Sequence, residues 1–148
     1  MERNKAVVRA FVAAINAQDW SRLAELVAPN FIRHSHAGGS PGVRSRDDLV
    51  RFLQGEFETF PDAREEIADL VAEGDRVAAR HSFRGTQTGP MGPHPPSGRV
   101  LAADYLAIYR LAGGLIVEAW AEWDNLSGLS QLGHTRNAEP SAAADGGA

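Results

Sequence analysis

The stretch RVLAADYLAIYRLAGGLIVEAWAEWD, residues 99–124, decides the fold. Residues 99–111 are rich in aromatic and branched apolar side chains and read as one long strand. Ala112-Gly113-Gly114 supplies a tight turn, and 115–124 is the return strand. Apolar residues occupy both faces of 99–111, so this hairpin needs cover on two sides. Working outward, 76–85 alternates cleanly, with Val77, Ala79, His81 and Phe83 on one face and Arg76, Ala78, Arg80, Ser82 and Arg84 on the other. Glu73-Gly74-Asp75 turns the chain back onto an extended segment, 64–72. The intervening TQTGPMGPHPPSG, residues 86–98, holds too much Gly and Pro to be helix or strand. The result is a meander of antiparallel strands.

Ahead of the meander the spacing becomes helical. Val7, Val8, Phe11, Val12 and Ile15 predict a helix over 4–18, with Asn4 as its N-cap. Trp20, Leu23, Leu26 and Val27 predict a shorter one over 21–27, stopped by Pro29. Residues 31–34 read as extended, and SHAGGSPGV, 35–43, as a loop. Ser45 caps a third helix, with Asp47 and Asp48 facing its positive end. Leu49, Phe52, Leu53, Phe57 and Phe60 form its stripe, and Pro61 ends it. Three helices followed by a twisted antiparallel sheet make an α+β cone with a natural pocket at its mouth. Residues 1–133 read as one domain, and the small-residue tail 134–148 as weakly packed.

Composition narrows the function. The 148 residues include no cysteine, which removes disulfides, thiolate nucleophiles and thiolate metal sites. A net charge of −4 argues against a nucleic-acid partner. Fourteen of the fifteen basic residues are Arg, scattered rather than clustered. No apolar run is long enough for a membrane span, and the N-terminus lacks a signal-peptide layout, so the expected location is the cytoplasm.

The segments Phe60-Pro61-Asp62, AEGDRVAARHSFRGTQTG, PPSG before Arg99, IYRLAGGLIVEAWAEWD and Gln131-Leu132-Gly133 occur in an order similar to that of the SnoaL-like polyketide cyclases. These belong to the nuclear transport factor 2-like superfamily. The resemblance spans most of residues 5–133 and implies the cone, with three N-terminal helices packed on a curved antiparallel sheet. It implies an intramolecular aldol ring closure with an acid/base carboxylate at the end of the last strand, by position Asp124. Where members often carry His, this chain has Gln87 and, near a second pocket position, Tyr109. Relatives that resemble cofactor-free hydroxylases of aromatic polyketides make hydroxylation the alternative.

The residues themselves supply candidates, each with a plainer reading. A carboxyl in an apolar pocket can both remove and return a proton, because desolvation raises its pKa. Asp124 has Trp120 and Trp123 beside it for such a wall, although simple alternation places it with Glu118 and Glu122 at a solvated strand end. Asp104, among apolar neighbours, is expected to be buried, either as a pocket acid or paired with Arg80 or Arg84. His81 is a pocket base or a satisfied core histidine. His34 and His36 open the Gly-rich loop at the expected pocket rim; two histidines with no matching carboxylate cluster are weak evidence for a metal, and no metal is expected. Gln87, Tyr105 and Tyr109 are expected to hydrogen-bond substrate oxygens or simply to pack. His94 and His134 read as solvated. No phosphate-cradling loop or Gly-x-Ser-x-Gly elbow is present, so no cofactor is expected. The two-sided strand predicts a homo-oligomer formed through the sheet. A non-catalytic binder of small ligands is the rival from another class.

Overall fold

The computed structural model describes residues 1–37 and 42–135. Helices α1 (Glu2–Ala17), α2 (Trp20–Leu26) and α3 (Arg46–Thr59) pack on a five-stranded sheet. Its strands are β1 (Val27–His34), β2 (Arg64–Glu73), β3 (Arg76–Thr86), β4 (Val100–Ala112) and β5 (Leu115–Glu122), in the order β1-β5-β4-β3-β2. A short helix, α4 (Asn125–Gln131), closes the described part of the domain. Among the described residues no helix is long and apolar enough to cross a membrane.

The α+β reading holds, and its details shift for physical reasons. The sheet is mixed: β2, β3, β4 and β5 pair antiparallel, but β1 runs parallel to β5 at the edge. Pro29 therefore lies inside a strand rather than just beyond a helix. An edge strand tolerates a residue without an N–H, and the β1/β5 register shifts between Val27 and Ile32, the stretch that contains it. Asn4 is not the cap of α1, which begins at Glu2 without a side-chain cap. Asp19 caps α2 by accepting from the Arg22 N–H at 3.0 Å. Ser45 caps α3 as expected, accepting from the Asp48 N–H at 3.0 Å. The return strand stops at Glu122, two residues early, because Asp124 caps α4, its Oδ1 accepting the Ser127 N–H at 2.9 Å.

The core lies between the helices and one face of the sheet. Val8, Phe11, Val12 and Ile15 of α1 meet Val77 and Ala79 of β3, Tyr109 and Leu111 of β4, and Ile116 of β5. The β4–β5 turn places Gly113 and Gly114 at φ 58° and 81°, the left-handed region a tight hairpin needs. The loop after β3 docks on the end of α3. Gly89 donates to the Thr59 carbonyl at 3.1 Å, and a Cβ there would sit 2.0 Å from the Glu58 carbonyl oxygen, so only glycine fits. Buried Gln87 holds this loop from within, donating to the Gly89 and Pro95 carbonyls at 3.1 and 3.0 Å. His134, expected to be solvated, bonds through Nε2 to Gln87 Oε1 at 2.6 Å and stacks on His94 with ring centres 4.6 Å apart. From residue 136 the expected weak tail lies outside the described residues.

Candidate active site

A cavity of about 580 Å³ opens between the concave face of the sheet, α3, α4 and the loop around Pro93. It exists because inward positions on the central strands are small: Ala103 and Ala107 on β4, Ala119 and Ala121 on β5. Larger apolar residues, among them Phe11, Leu49, Phe52 and Leu53, form the opposite wall. A void of this size suits a drug-sized molecule.

Four side chains inside this wall form a polar cluster. Tyr105 donates its hydroxyl to Glu65 Oε2 at 2.8 Å. The Tyr105 ring stacks on the His81 ring, centres 4.3 Å apart and planes nearly parallel. The Tyr109 hydroxyl and His81 Nε2 hydrogen-bond at 2.9 Å. His81 Nδ1 faces Glu65 Oε1 at 3.6 Å, too far for a hydrogen bond, and both atoms are buried without another partner. Glu65, Tyr105 and Tyr109 line the cavity; His81 lies behind them, fully buried. Glu56 of α3 and Arg33 of β1 also line the cavity.

Burial sets the protonation of this cluster. Desolvation pushes the Glu65 carboxyl up to about 7, against the opposing hydrogen bond from Tyr105. It pushes Glu56 to about 7 as well, helped by the Glu65 charge and opposed by Arg33. Burial lowers His81 to about 4, so its imidazole is neutral at physiological pH. Both tyrosine hydroxyls are raised for the same reason and stay protonated. The Arg33 guanidinium is lowered from its ordinary value by burial, with Glu56 the largest opposing influence.

The SnoaL-like polyketide cyclase profile matches residues 5–132. The chain belongs to this family. It is similar to IdmH of Streptomyces antibioticus, described as a "putative polyketide cyclase", at 34% identity and TM-score 0.77, over 88% of this chain and 98% of IdmH. It is also similar to AclR of Streptomyces galilaeus, described as a "putative hydroxylase", at 29% identity and TM-score 0.78, over 91% of this chain and 98% of AclR. An NTF2-like protein of Burkholderia pseudomallei, 16% identical with TM-score 0.75 over 89% of this chain and 98% of its own, shares the fold alone. No curated protein matches the chain.

Within this SnoaL-like domain the sequence candidates divide. Tyr105, Tyr109 and Trp123 line the cavity, and His81 supports the two tyrosines. Asp124 stands exposed at the cavity mouth, its carboxylate engaged as the α4 cap. Gln87 is a loop anchor. Asp104 is not buried. It borders the cavity rim, but its carboxylate is more than half exposed and accepts from Arg80 at 3.0 Å, the pairing that was the plainer reading. Strand alternation puts it with Leu106 and Ile108 on the face the helices leave uncovered. His34, His36 and Trp120 do not line the cavity. His34 bonds Glu118 at 2.6 Å and stacks on Trp120, whose indole also carries Arg76 4.9 Å from its centre. Trp120 pairs with Ile108, so it belongs to the outer face. Among the described residues no three His, Asp or Glu side chains gather as a metal site.

The family motifs do not include Glu56, Glu65 and Arg33, but two of the three left a signal. Glu56 follows Leu49, Phe52 and Leu53 by seven, four and three residues, which places it on the buried stripe of α3. Glu65 shares a strand face with Ile67. Arg33 left none, because short β1 does not alternate cleanly.

Proposed function

We propose that this protein is a cofactor-independent acid/base enzyme acting on a polyketide-like small molecule within the cavity, most readily as an intramolecular aldol cyclase. The observation that carries the reading is a pair of carboxyls, Glu65 and Glu56, lining one apolar cavity with both held near 7. A carboxyl at that value is present in both forms near neutrality, so it can take a proton from carbon and give one to an alkoxide. Glu65 is the better base. Its Oε2 is fixed by Tyr105, and its other oxygen has no hydrogen bond to compete with the incoming proton. Asp124, the positional expectation, is placed at the mouth with its carboxylate already accepting a backbone N–H. The proposal includes a second copy of the chain over the outer sheet face, where Leu106 and Ile108 are 62% and 42% exposed.

The test uses acetophenone, a weak carbon acid, in D₂O, with exchange of its methyl protons followed by NMR. The wild type is expected to catalyse exchange without added cofactor or metal. Glu65→Gln should lower the rate by about 10²–10⁴, the share a positioned proton acceptor contributes, and Asp124→Asn by less than about tenfold. Loss in Asp124→Asn with Glu65→Gln intact moves the base to the mouth. No exchange in the wild type rejects acid/base chemistry and leaves a binding module. Hydroxylation is the second reading, favoured by the similarity to AclR. It starts from the same carbanion, which adds O₂ to give a hydroperoxide, and a two-electron reductant supplied from outside the protein must then cleave the O–O bond to the alcohol and water; oxygen uptake separates it from cyclisation.

A further inference from the structure

Buried polar atoms nearly always have a hydrogen-bond partner, so a pair without one at the cavity wall needs a reason. Glu65 Oε1 and His81 Nδ1 are such a pair, 3.6 Å apart. A shift of about half an ångström brings them within hydrogen-bond range, provided one hydrogen lies between them. The imidazole is neutral above about 4, so it carries a single ring hydrogen, on Nδ1 or on Nε2. Nε2 already bonds the Tyr109 hydroxyl at 2.9 Å. With the hydrogen on Nδ1, Nε2 accepts from Tyr109, which then shows the cavity only its lone pairs. With the hydrogen on Nε2, Tyr109 accepts it and can turn its own hydrogen to the cavity it lines. The Tyr105 ring, opposite His81 across β3 and β4 and stacked on it, holds the imidazole plane in place for both forms.

We propose that Tyr109 is a donor–acceptor switch for a ligand oxygen, set by the proton on Glu65 through the position of the His81 ring hydrogen. An ionised Glu65 draws that hydrogen to Nδ1; a protonated Glu65 brings its own and takes a bare Nδ1 as acceptor. The change balances. As Glu65 gains a proton by this route, the Nδ1 hydrogen passes to Oε1, the Tyr109 hydrogen passes to Nε2, and the tyrosine oxygen takes one proton from the cavity. One proton enters, and neither ring is left charged. Glu65 is faced by His81 of β3, Tyr105 and Tyr109 of β4 and Glu56 of α3, while Arg33 of β1 acts on Glu56 and Tyr109. Glu56 is therefore the other group able to impose a pH dependence. A dependence imposed by Glu56 survives loss of the Tyr109 hydroxyl; one imposed through His81 does not. The inference deepens the proposed function, since it rests on the cavity being the substrate site. It assigns Tyr109, while Glu65 holds a proton, to ligand oxygens that can only accept: those of ketones, enolates and alkoxides.

The experiment has a ligand-free arm and a binding arm. In ¹⁵N NMR of the histidine-labelled protein, the His81 hydrogen should move from Nε2 to Nδ1 as pH rises through about 7, with the ring neutral throughout. Glu65→Gln should remove this change of site. Calorimetric titration then compares acetophenone, whose oxygen only accepts, with 1-phenylethanol, whose hydroxyl both donates and accepts. Acetophenone should bind about tenfold more tightly at about pH 5.5 than at about pH 8.5, the effect of one hydrogen bond, and 1-phenylethanol nearly equally at both. Tyr109→Phe, which keeps the ring and Glu65, should abolish the acetophenone difference. Circular dichroism checks the fold of each variant; if Tyr109→Phe does not fold, the Glu65→Gln spectrum and the wild-type ligand pair carry the test. A His81 hydrogen that stays on one nitrogen across the range, an acetophenone dependence that survives in Tyr109→Phe, or no saturable acetophenone binding overturns the proposal. Such a result with acetophenone proton exchange intact leaves Glu65 as the base. A hydrogen that moves as expected, without proton exchange on acetophenone, keeps the switch and rejects the chemistry.

Discussion

The two faces of β4 carry the same kinds of residue and treat them oppositely. Ala103, Tyr105, Ala107 and Tyr109 point toward the helices; Asp104, Leu106, Ile108 and Arg110 point away. On the concave face polar groups are desolvated and bonded to one another, and Glu65 and His81 move far from their ordinary values in opposite directions. On the convex face the ionic groups pair in the open: Arg80 with Asp69 and Asp104, Arg110 with Glu118, and Glu118 with His34. Such exposed pairs do little for chemistry, because water screens them. The lesson is that a side chain's chemistry here follows from its face rather than its type. Asp104 and Tyr105 are adjacent, yet only the tyrosine touches the polar cluster.

The largest effect should come from breaking the concave side. Glu65→Gln is expected to cost about 10²–10⁴ in acetophenone exchange, whereas Asp104→Asn on the convex side should leave exchange and melting temperature unchanged. A comparable loss in both would erase the distinction between the faces.

The next effect belongs to the convex face. Leu106→Asp, placed beside exposed Ile108, should convert an oligomer to a monomer in sedimentation at micromolar concentration while leaving the cavity intact. A wild-type monomer would show that this face needs no cover.

A smaller effect lies in the pH dependence of stability. A carboxyl held near 7 in the fold but near its ordinary 4.5 when unfolded stays protonated longer in the folded state. Stability contributed this way is fully present below about 4.5 and is lost as pH rises through about 7. His81, lowered from 6.5 to about 4, acts oppositely: its contribution is present above 6.5 and is lost as pH falls through about 4. Two carboxyls outweigh one imidazole, so thermal stability should decline between about pH 4.5 and 7, and Glu65→Gln should flatten that decline. The smallest effect is the cap: Asp124→Ala should cost about 1 kcal/mol in denaturant unfolding, through α4 alone.

The same contrast explains what the sequence made legible. Periodicity exposed the long hairpin, the alternation of β3 and the Ser45 cap, because each is local. The parallel docking of β1 was hidden, since pairing partners across the sheet leave no mark within one strand. Asp124 was drawn into the last strand, although Asp124-Asn125-Leu126-Ser127 has the composition of a helix cap. The tyrosines and His81 were recognisable from strand phase. Glu65 and Glu56 carry charges that suit solvent, so residue type alone hides them, although their strand and helix phase places them on the cavity. Trp120, as a wall beside Asp124, and His34, at the opening of the Gly-rich loop, are pocket candidates by sequence position, but the outer-face phase of Trp120 puts that pair outside.

The central claim is that the concave cavity holds two carboxyls poised near neutrality. It is tested most directly by a pH titration of the protein with ¹³C-labelled glutamate side chains, followed by NMR. Two carboxyl resonances should titrate near about 7, one disappearing in Glu65→Gln and the other in Glu56→Gln. If every glutamate titrates below about 5, as exposed carboxylates do, the cavity is not an acid/base site and the account fails.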